Sequence, residues 1–462
     1  MKRKKTAILL LCVLAAAVLL LTGLRLSASA AAGAGTQYIV KYKDDSAPFH
    51  VVSGSELERL RAQGRLAWYE PDGEATLIDP APDIVLFGTL SDYHEDGQWN
   101  LDLIGADGAF RLGCLGQGVR VGVLDSGINP HPALEGCLQP GRNYIQDADP
   151  SDTADSYGHG TRVAGLIAGV SDGGYIGPAP GAELVPLKIT DGKSVKISAV
   201  CAAIYGAVDD LDCDVLNLSM GVTTDYKALR EAVAYAEARS VVVVSAAGNG
   251  GTAARYYPAD DDTVIGVGAV DSSGAVYYRS NHNDSVLVTA PGVEVRTTAA
   301  AGGYTTATGT SFAVPQVSAA AAILRGIDGT LSPEAVRALI AGTAEDRGEA
   351  GYDPYYGCGI LNIAGCIAAL DGGTGGNTPC VLLPEAGPAE KLQNTSDHTV
   401  RCTYLLAQYG EDGRCLSVGS WQYELAPGQT VPLETPPEGS NYGQFVCETD
   451  TMIPLTKERK GP

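Results

Sequence analysis

The pattern that most limits the fold is a series of short, almost wholly apolar runs ending in polar residues: Val119–Leu124, Leu184–Ile189, Val215–Leu218, Val241–Ser245 and Val264–Val270. A strand with one wet face alternates apolar and polar residues; these runs do not, so both of their faces must be covered. Between them lie amphipathic segments such as Tyr226–Arg239 and Ser198–Leu211, the latter with Val200, Ile204, Val208 and Leu211 on one helical face. Buried strands alternating with helices predict an α/β fold, a parallel sheet flanked by helices on both sides. Ligands of such sheets bind beyond the carboxyl ends of the strands, which is where chemistry is expected.

Three strand ends or helix starts carry reactive side chains. Val121-Gly-Val-Leu-Asp125-Ser-Gly127 closes a strand on a carboxylate, and Tyr157-Gly-His159-Gly-Thr-Arg-Val-Ala-Gly165 opens an apolar helix with a histidine between glycines. Gly309-Thr-Ser311-Phe-Ala-Val-Pro315 places a serine at a helix start, with Pro315 in or near the first turn. Taken singly, each has an ordinary explanation as a turn, a packing residue or an N-cap. Together they are the set that nucleophilic catalysis by serine requires: a hydroxyl, a base to take its proton, and a carboxylate to orient the base. A fourth segment, Val241-Val-Val-Val-Ser245-Ala-Ala-Gly-Asn249, ends a strand in a glycine-positioned amide.

These motifs resemble those of the subtilisin-like serine proteases, in that family's Asp, His, Ser chain order. The resemblance implies a subtilisin-like fold and a serine endopeptidase that works through an acyl-enzyme without a catalytic cofactor. It makes Ser311 the nucleophile, His159 the general base and then acid, Asp125 the group that orients the imidazole, and Asn249 an oxyanion donor. Leu216-Asn-Leu-Ser-Met-Gly221 resembles the family's substrate strand, so Ser219, Met220 and Gly221 are the expected peptide contacts. The likeness runs from Trp99 to Leu370 and ends in Tyr356-Gly-Cys-Gly-Ile-Leu-Asn362, close to the family's closing motif.

Several residues depart from the family pattern. Arg162 and Gln316 replace histidines and Phe312 replaces a methionine, all outside the triad. The His131-Pro-Ala133-Leu segment has alanine where many members carry a liganding aspartate, and Val170–Gly177 looks shorter than their calcium loop. The usual structural calcium site is therefore expected to be absent or altered, and no other metal site is expected. The span from Asn249 to Tyr257-Pro258 is also short, which places Tyr256 near the bottom of the S1 pocket and predicts small or mid-sized P1 residues.

The flanking segments imply a precursor. Lys2–Lys5 precede an uncharged run, Thr6–Leu24, and then Ser27-Ala28-Ser29-Ala30, so residues 1–30 read as a signal peptide; a retained anchor is the alternative. Residues 31–95 read as a small α+β unit resembling the inhibitory propeptide: Gln37–Lys43 is strand-like, Ser55–Gln63 helical and Gly64–Asp79 strand-like, with self-cleavage expected near Leu90–Gln98. Residues 96–371 form the expected peptidase domain, 372–377 a Gly-rich linker, and 378–462 a small β-sandwich-like accessory domain.

A net charge of −22, from 32 basic and 54 acidic residues, disfavours nucleic acid and anionic membrane surfaces as partners. The expected partners are protein or peptide substrates and the chain's own propeptide as an intramolecular inhibitor, with a membrane only if the first segment is retained. The eleven cysteines include no Cys-x-x-Cys pair, so zinc is unsupported, and disulfides and buried free thiols both remain open. The leading expectation is a secreted, self-processing serine endopeptidase. The alternatives are a narrow-substrate processing protease at a cell or spore surface, and a pseudoprotease binding scaffold, against which the intact Asp125, His159, Ser311 and Asn249 argue.

Overall fold

The structure is a computed structural model and describes residues 36–43, 45–78, 85–86, 97–171 and 174–373, together with 380–383, 391–394, 400–409, 415–426, 429–433, 441–448 and 459–460. The expected signal segment, residues 90–96 of the expected cleavage range and residues 374–377 of the expected linker lie outside the described residues.

The chain divides into two compact units, the first made of residues up to Glu74 together with 196–198 and 226–228. Its three-stranded antiparallel sheet has β1 (Gln37–Tyr42) between β2 (His50–Ser53) and β3 (Leu66–Pro71). Helix α1 (Gly54–Ala62) starts at Ser53, whose hydroxyl accepts the Glu56 N–H, and it buries Leu57 and Leu60. Two carboxylates of this unit take up backbone N–H groups. Glu70 accepts from Lys227 (3.0 Å) and Ala228 (2.7 Å), and Asp72 from Ser198 (2.9 Å). Those N–H groups belong to first helical turns, where they have no intrahelical acceptor and favour negative charge.

From Glu74 onward the chain forms, in order, β4 (Glu74–Leu77), β5 (Val85–Leu86), β6 (Arg120–Asp125), β7 (Arg142–Asn143), α2 (His159–Ala168), β8 (Glu183–Lys188), β9 (Ser194–Lys196) and α3 (Ile197–Asp209). There follow β10 (Val215–Leu218), β11 (Met220–Gly221), α4 (Lys227–Glu237), β12 (Val242–Ala246), β13 (Ile265–Val270), β14 (Val288–Pro291), β15 (Val295–Thr298), β16 (Tyr304–Ala307), α5 (Thr310–Ile327) and α6 (Ile363–Gly373). The main sheet has seven strands in the order β14-β13-β12-β10-β6-β8-β7, with every neighbouring pair parallel. The chain steps from β6 to one edge, then crosses to β10 and continues to the other, so β6 and β10 flank the topological switch point. Every residue of β10, β12, β13 and β14 is buried, as their unbroken apolar character predicts. Helix α5, buried from Thr310 to Leu324, packs across β10, β12, β13 and β14.

Gly372 and Gly373, read from sequence as linker, close α6 instead. The following strands form two antiparallel sheets, β17 (Cys380–Leu383), β18 (Lys391–Asn394) and β21 (Thr430–Pro432) in one, and β20 (Cys415–Leu425), β19 (Val400–Tyr409), β22 (Asn441–Glu448) and β23 (Arg459–Lys460) in the other. Leu392, Cys402, Tyr404, Leu406, Leu425 and Leu433 form their shared core.

Cys137, Cys213, Cys358 and Cys366 are free thiols. Burial pushes the Cys213 thiol up to about 12 and those of Cys137 and Cys366 up to about 11. A raised pKa depletes the reactive thiolate, so iodoacetamide at about pH 8 is expected to spare these three in the folded protein and alkylate all of them in denaturant, read by peptide mapping. Native-state labelling of any of them at the rate of a free thiol contradicts this.

Candidate active site

Asp125 is the last residue of β6 and is fully buried. The Ser126 N–H and hydroxyl donate to its Oδ1 at 2.7 and 3.2 Å. His159, also fully buried, is the first residue of α2, and its Nδ1 lies 2.9 Å from both Asp125 carboxylate oxygens. A carboxylate only accepts, so Nδ1 carries the proton and Nε2 presents its lone pair. Nε2 is buried without a hydrogen-bond partner. The close approach of α2 to β6 depends on glycine: a Cβ on Gly160 would lie 2.1 Å from the Gly127 carbonyl oxygen.

Asp155, which sequence reasoning missed, locks this corner. Its carboxylate accepts from Ser126 Oγ (2.7 Å), Tyr157 N (3.2 Å), Gly158 N (2.6 Å), Thr161 N (2.8 Å) and Thr161 Oγ1 (2.6 Å), and it is 4% exposed. One buried anion thus joins the turn after Asp125 to the start of the His159 helix. Asp155→Ala strands these donors and is expected to cost about 3 kcal/mol or more of stability, measured by thermal unfolding. A Tm within about 2 °C of the parent contradicts it.

Ser311 lies in the first turn of α5. Pro315, expected in or near that turn, sits one turn further along the helix. A residue there would normally donate its N–H to the Ser311 carbonyl, and proline has none. The freed carbonyl accepts the Ser219 hydroxyl instead, at 2.8 Å, and Asn217 Nδ2 donates to Ser219 Oγ at 3.1 Å while accepting from Ser318 at 2.9 Å. The serine's helix is therefore tied to the end of β10. The family departures are accommodated nearby. The Phe312 ring lies 5.2 Å from the His159 ring, the Arg162 guanidinium lies 5.6 Å over Phe312, and Gln316 donates to Pro291 O and Phe312 O and accepts from Asn100.

Asn249 follows β12 through Gly248, whose φ of +109° suits glycine. Its Oδ1 accepts the Thr310 N–H at 3.0 Å, so its amide hydrogens face the other way, where Nδ2 donates to the Ile78 carbonyl at 3.3 Å. Asn281, likewise missed, is fully buried and pins this loop through Gly250 N, Ala247 O and Ala254 O. The Ser311 hydroxyl also donates to the Ile78 carbonyl, with Ser219 O a second acceptor at 3.2 Å. β4 pairs antiparallel with β11, Leu77 opposite Met220 and Thr76 opposite Gly221, and Ile78 N donates to Ser219 O at 3.2 Å. Tyr256 lies against Gly221 and Gly248. Asp125 thus ends β6, Ser219–Gly221 and Asn249 follow β10 and β12, and His159 and Ser311 stand at the starts of α2 and α5.

The family model that matches this chain is described as the subtilase family and covers residues 116–359, just over half of the chain. The chain belongs to the subtilase family. As a subtilase it is a serine-type endopeptidase and requires no cofactor for catalysis. It is similar to subtilisin BL of Lederbergia lenta, 35% identical over 267 residues that span 57% of this chain and 96% of the relative. Subtilisin DY of Bacillus licheniformis is 36% identical over 272 residues, with the same coverage of each chain. An alkaline protease of Alkalihalobacillus alcalophilus is 30% identical over 313 residues, covering 67% of this subtilase and 76% of the relative.

The described residues of the two calcium-associated segments offer no carboxylate. His131 uses Nδ1 to accept from Ala133 N and Nε2 to contact Gly303 O. Among the described residues no group of three or more His, Cys, Asp or Glu side chains is placed to hold a metal, and no helix is long and apolar enough to cross a membrane.

Proposed function

We propose that this subtilase is a secreted endopeptidase made as a self-processing precursor, with Asp125, His159 and Ser311 as its catalytic triad. The observation that carries the reading is one peptide carbonyl, that of Ile78, receiving hydrogen bonds from both the Ser311 hydroxyl and the Asn249 amide. Ser311 Oγ adds to the carbonyl carbon as its proton passes to His159 Nε2, while Asp125 holds Nδ1–H and so keeps Nε2 available. The oxyanion gains the Asn249 N–H and the positive end of α5. His159 then gives the proton to the leaving amine, and water releases the acyl group by the reverse sequence. Ser219, Met220 and Gly221 bind the substrate as an added antiparallel strand, and Tyr256 shapes the S1 pocket.

Secretion rests on Lys2–Lys5, the apolar Thr6–Leu24 and the small residues after it. The small first unit takes the role of propeptide and intramolecular inhibitor, residues 96–371 that of the peptidase, and residues 378–462 that of an accessory domain. The test treats the protein with a fluorophosphonate probe and maps the label, alongside hydrolysis of a protein substrate. Label on Ser311 together with hydrolysis is expected. Neither appearing, even after limited external proteolysis, overturns the reading.

A further inference from the structure

The chain's own segment Ala75–Ile78 lies in the active site in the manner of a peptide substrate. It is flanked on both edges, because β4 sits between β11 and β9, and the Leu77 N–H donates to Lys193 O at 2.9 Å. The Ile78 side chain is 6% exposed. It crowds the same face of Gly221 as Tyr256 does: a Cβ at Gly221 would lie 3.5 Å from Ile78 Cδ1 and 2.8 Å from Tyr256 Cδ1.

Further along, β5 pairs antiparallel with β16, Val85 opposite Thr305 and Leu86 opposite Tyr304. β16 leads towards Ser311, so β5 runs away from it, which is the direction a substrate takes beyond its scissile bond. By contrast Gln98, at the end of the range expected for cleavage, is 2% exposed and makes two hydrogen bonds to the Ile176 backbone, at 2.8 and 3.0 Å.

From this geometry, and resting on the function proposed above, we infer that the maturation cut falls between Ile78 and Asp79, and that the enzyme prefers a mid-sized branched aliphatic P1 residue with leucine before it. The step balances as an ordinary hydrolysis. Ser311 Oγ forms an ester with the Ile78 carbonyl carbon while the C–N bond to Asp79 breaks and the Asp79 amine takes the serine's proton by way of His159. Water then cleaves the ester, leaving a carboxyl group on Ile78 and restoring the Ser311 hydroxyl. Tyr256 limits the depth available to the P1 side chain, so isoleucine fits where phenylalanine is too long.

The experiment expresses the full chain, follows intact mass with N-terminal sequencing, and labels in parallel with the fluorophosphonate. A labelled product beginning at Asp79 is the expected result. A labelled product beginning elsewhere, within 87–98 for instance, overturns the assigned bond and leaves the peptidase reading standing; no shortening and no label overturns both. On the mature enzyme, succinyl-Ala-Thr-Leu-Ile-p-nitroanilide should exceed its Phe counterpart in kcat/KM by about tenfold or more, and Tyr256→Gly should reverse that order. Equal or better cleavage after Phe by the parent overturns the P1 assignment. Ile78→Val should mature within about threefold of the parent rate and Ile78→Asp at least about tenfold more slowly. Maturation of the Asp variant at the parent rate also overturns the assignment.

Discussion

Ser311→Ala is expected to lower kcat on a peptide substrate by about a millionfold and to leave the precursor at full length. The members of the proposed triad would act as a unit, so a correctly placed His159 and Asp125 would contribute little once the hydroxyl is gone. The residual rate, roughly a thousandfold over water, comes from the oxyanion donors and from substrate binding. The substitution removes one oxygen from a helical first turn and leaves the Ser311 carbonyl with its Ser219 partner, since that contact involves only the backbone of residue 311. The variant should therefore match the parent in circular dichroism and Tm. Steady-state kinetics decide the matter: more than about 1% of parental kcat in a homogeneous preparation excludes Ser311 as the nucleophile.

The second large effect is at Asn249. Replacing it with alanine is expected to cut kcat by about 10²–10³, equivalent to about 2.7–4 kcal/mol of barrier, with KM changed little. The split matters because the Asn249 amide also accepts the Thr310 N–H. Losing that bond alone would appear as about 1 kcal/mol of stability and would not single out the transition state. A fall in kcat at constant KM identifies a donor that strengthens as charge develops on the carbonyl oxygen. A rise in KM with kcat preserved would assign Asn249 to ground-state binding instead.

The sheet and the candidate site residues were legible because both are written locally. Unbroken apolar runs such as Val241–Val244 report burial on two faces, and Asp125, His159, Ser311 and Asn249 each stand where such a run or an apolar helix meets glycine. What escaped was written at a distance. Asp155 resembles any loop carboxylate, and its value appears only when the residues on either side of His159 and the turn after Asp125 converge on it. Pro315 signalled a helix start by composition, yet its effect is to free a carbonyl for Ser219, a residue far away in the chain. The segment Ala75–Ile78 lies within the stretch read as strand-like, but its partners, Lys193 and Ser219–Gly221, enter the chain long afterwards.

The strand order also sets a schedule for synthesis. β6, at the middle of the sheet, emerges early, but its neighbours β8 and β10 end at Lys188 and Leu218, and the helix bearing Ser311 follows all seven strands. Pairings of this range fold slowly, because the intervening chain must be ordered before they are made. On the proposed triad, a growing chain therefore carries Asp125 and His159 long before it has a nucleophile to activate. At synthesis rates of about 5–20 residues per second, a half-made molecule on the ribosome has no means of cutting its neighbours. On the proposed assignment, hydrolytic capacity arrives with α5, the same helix that covers β10, β12, β13 and β14.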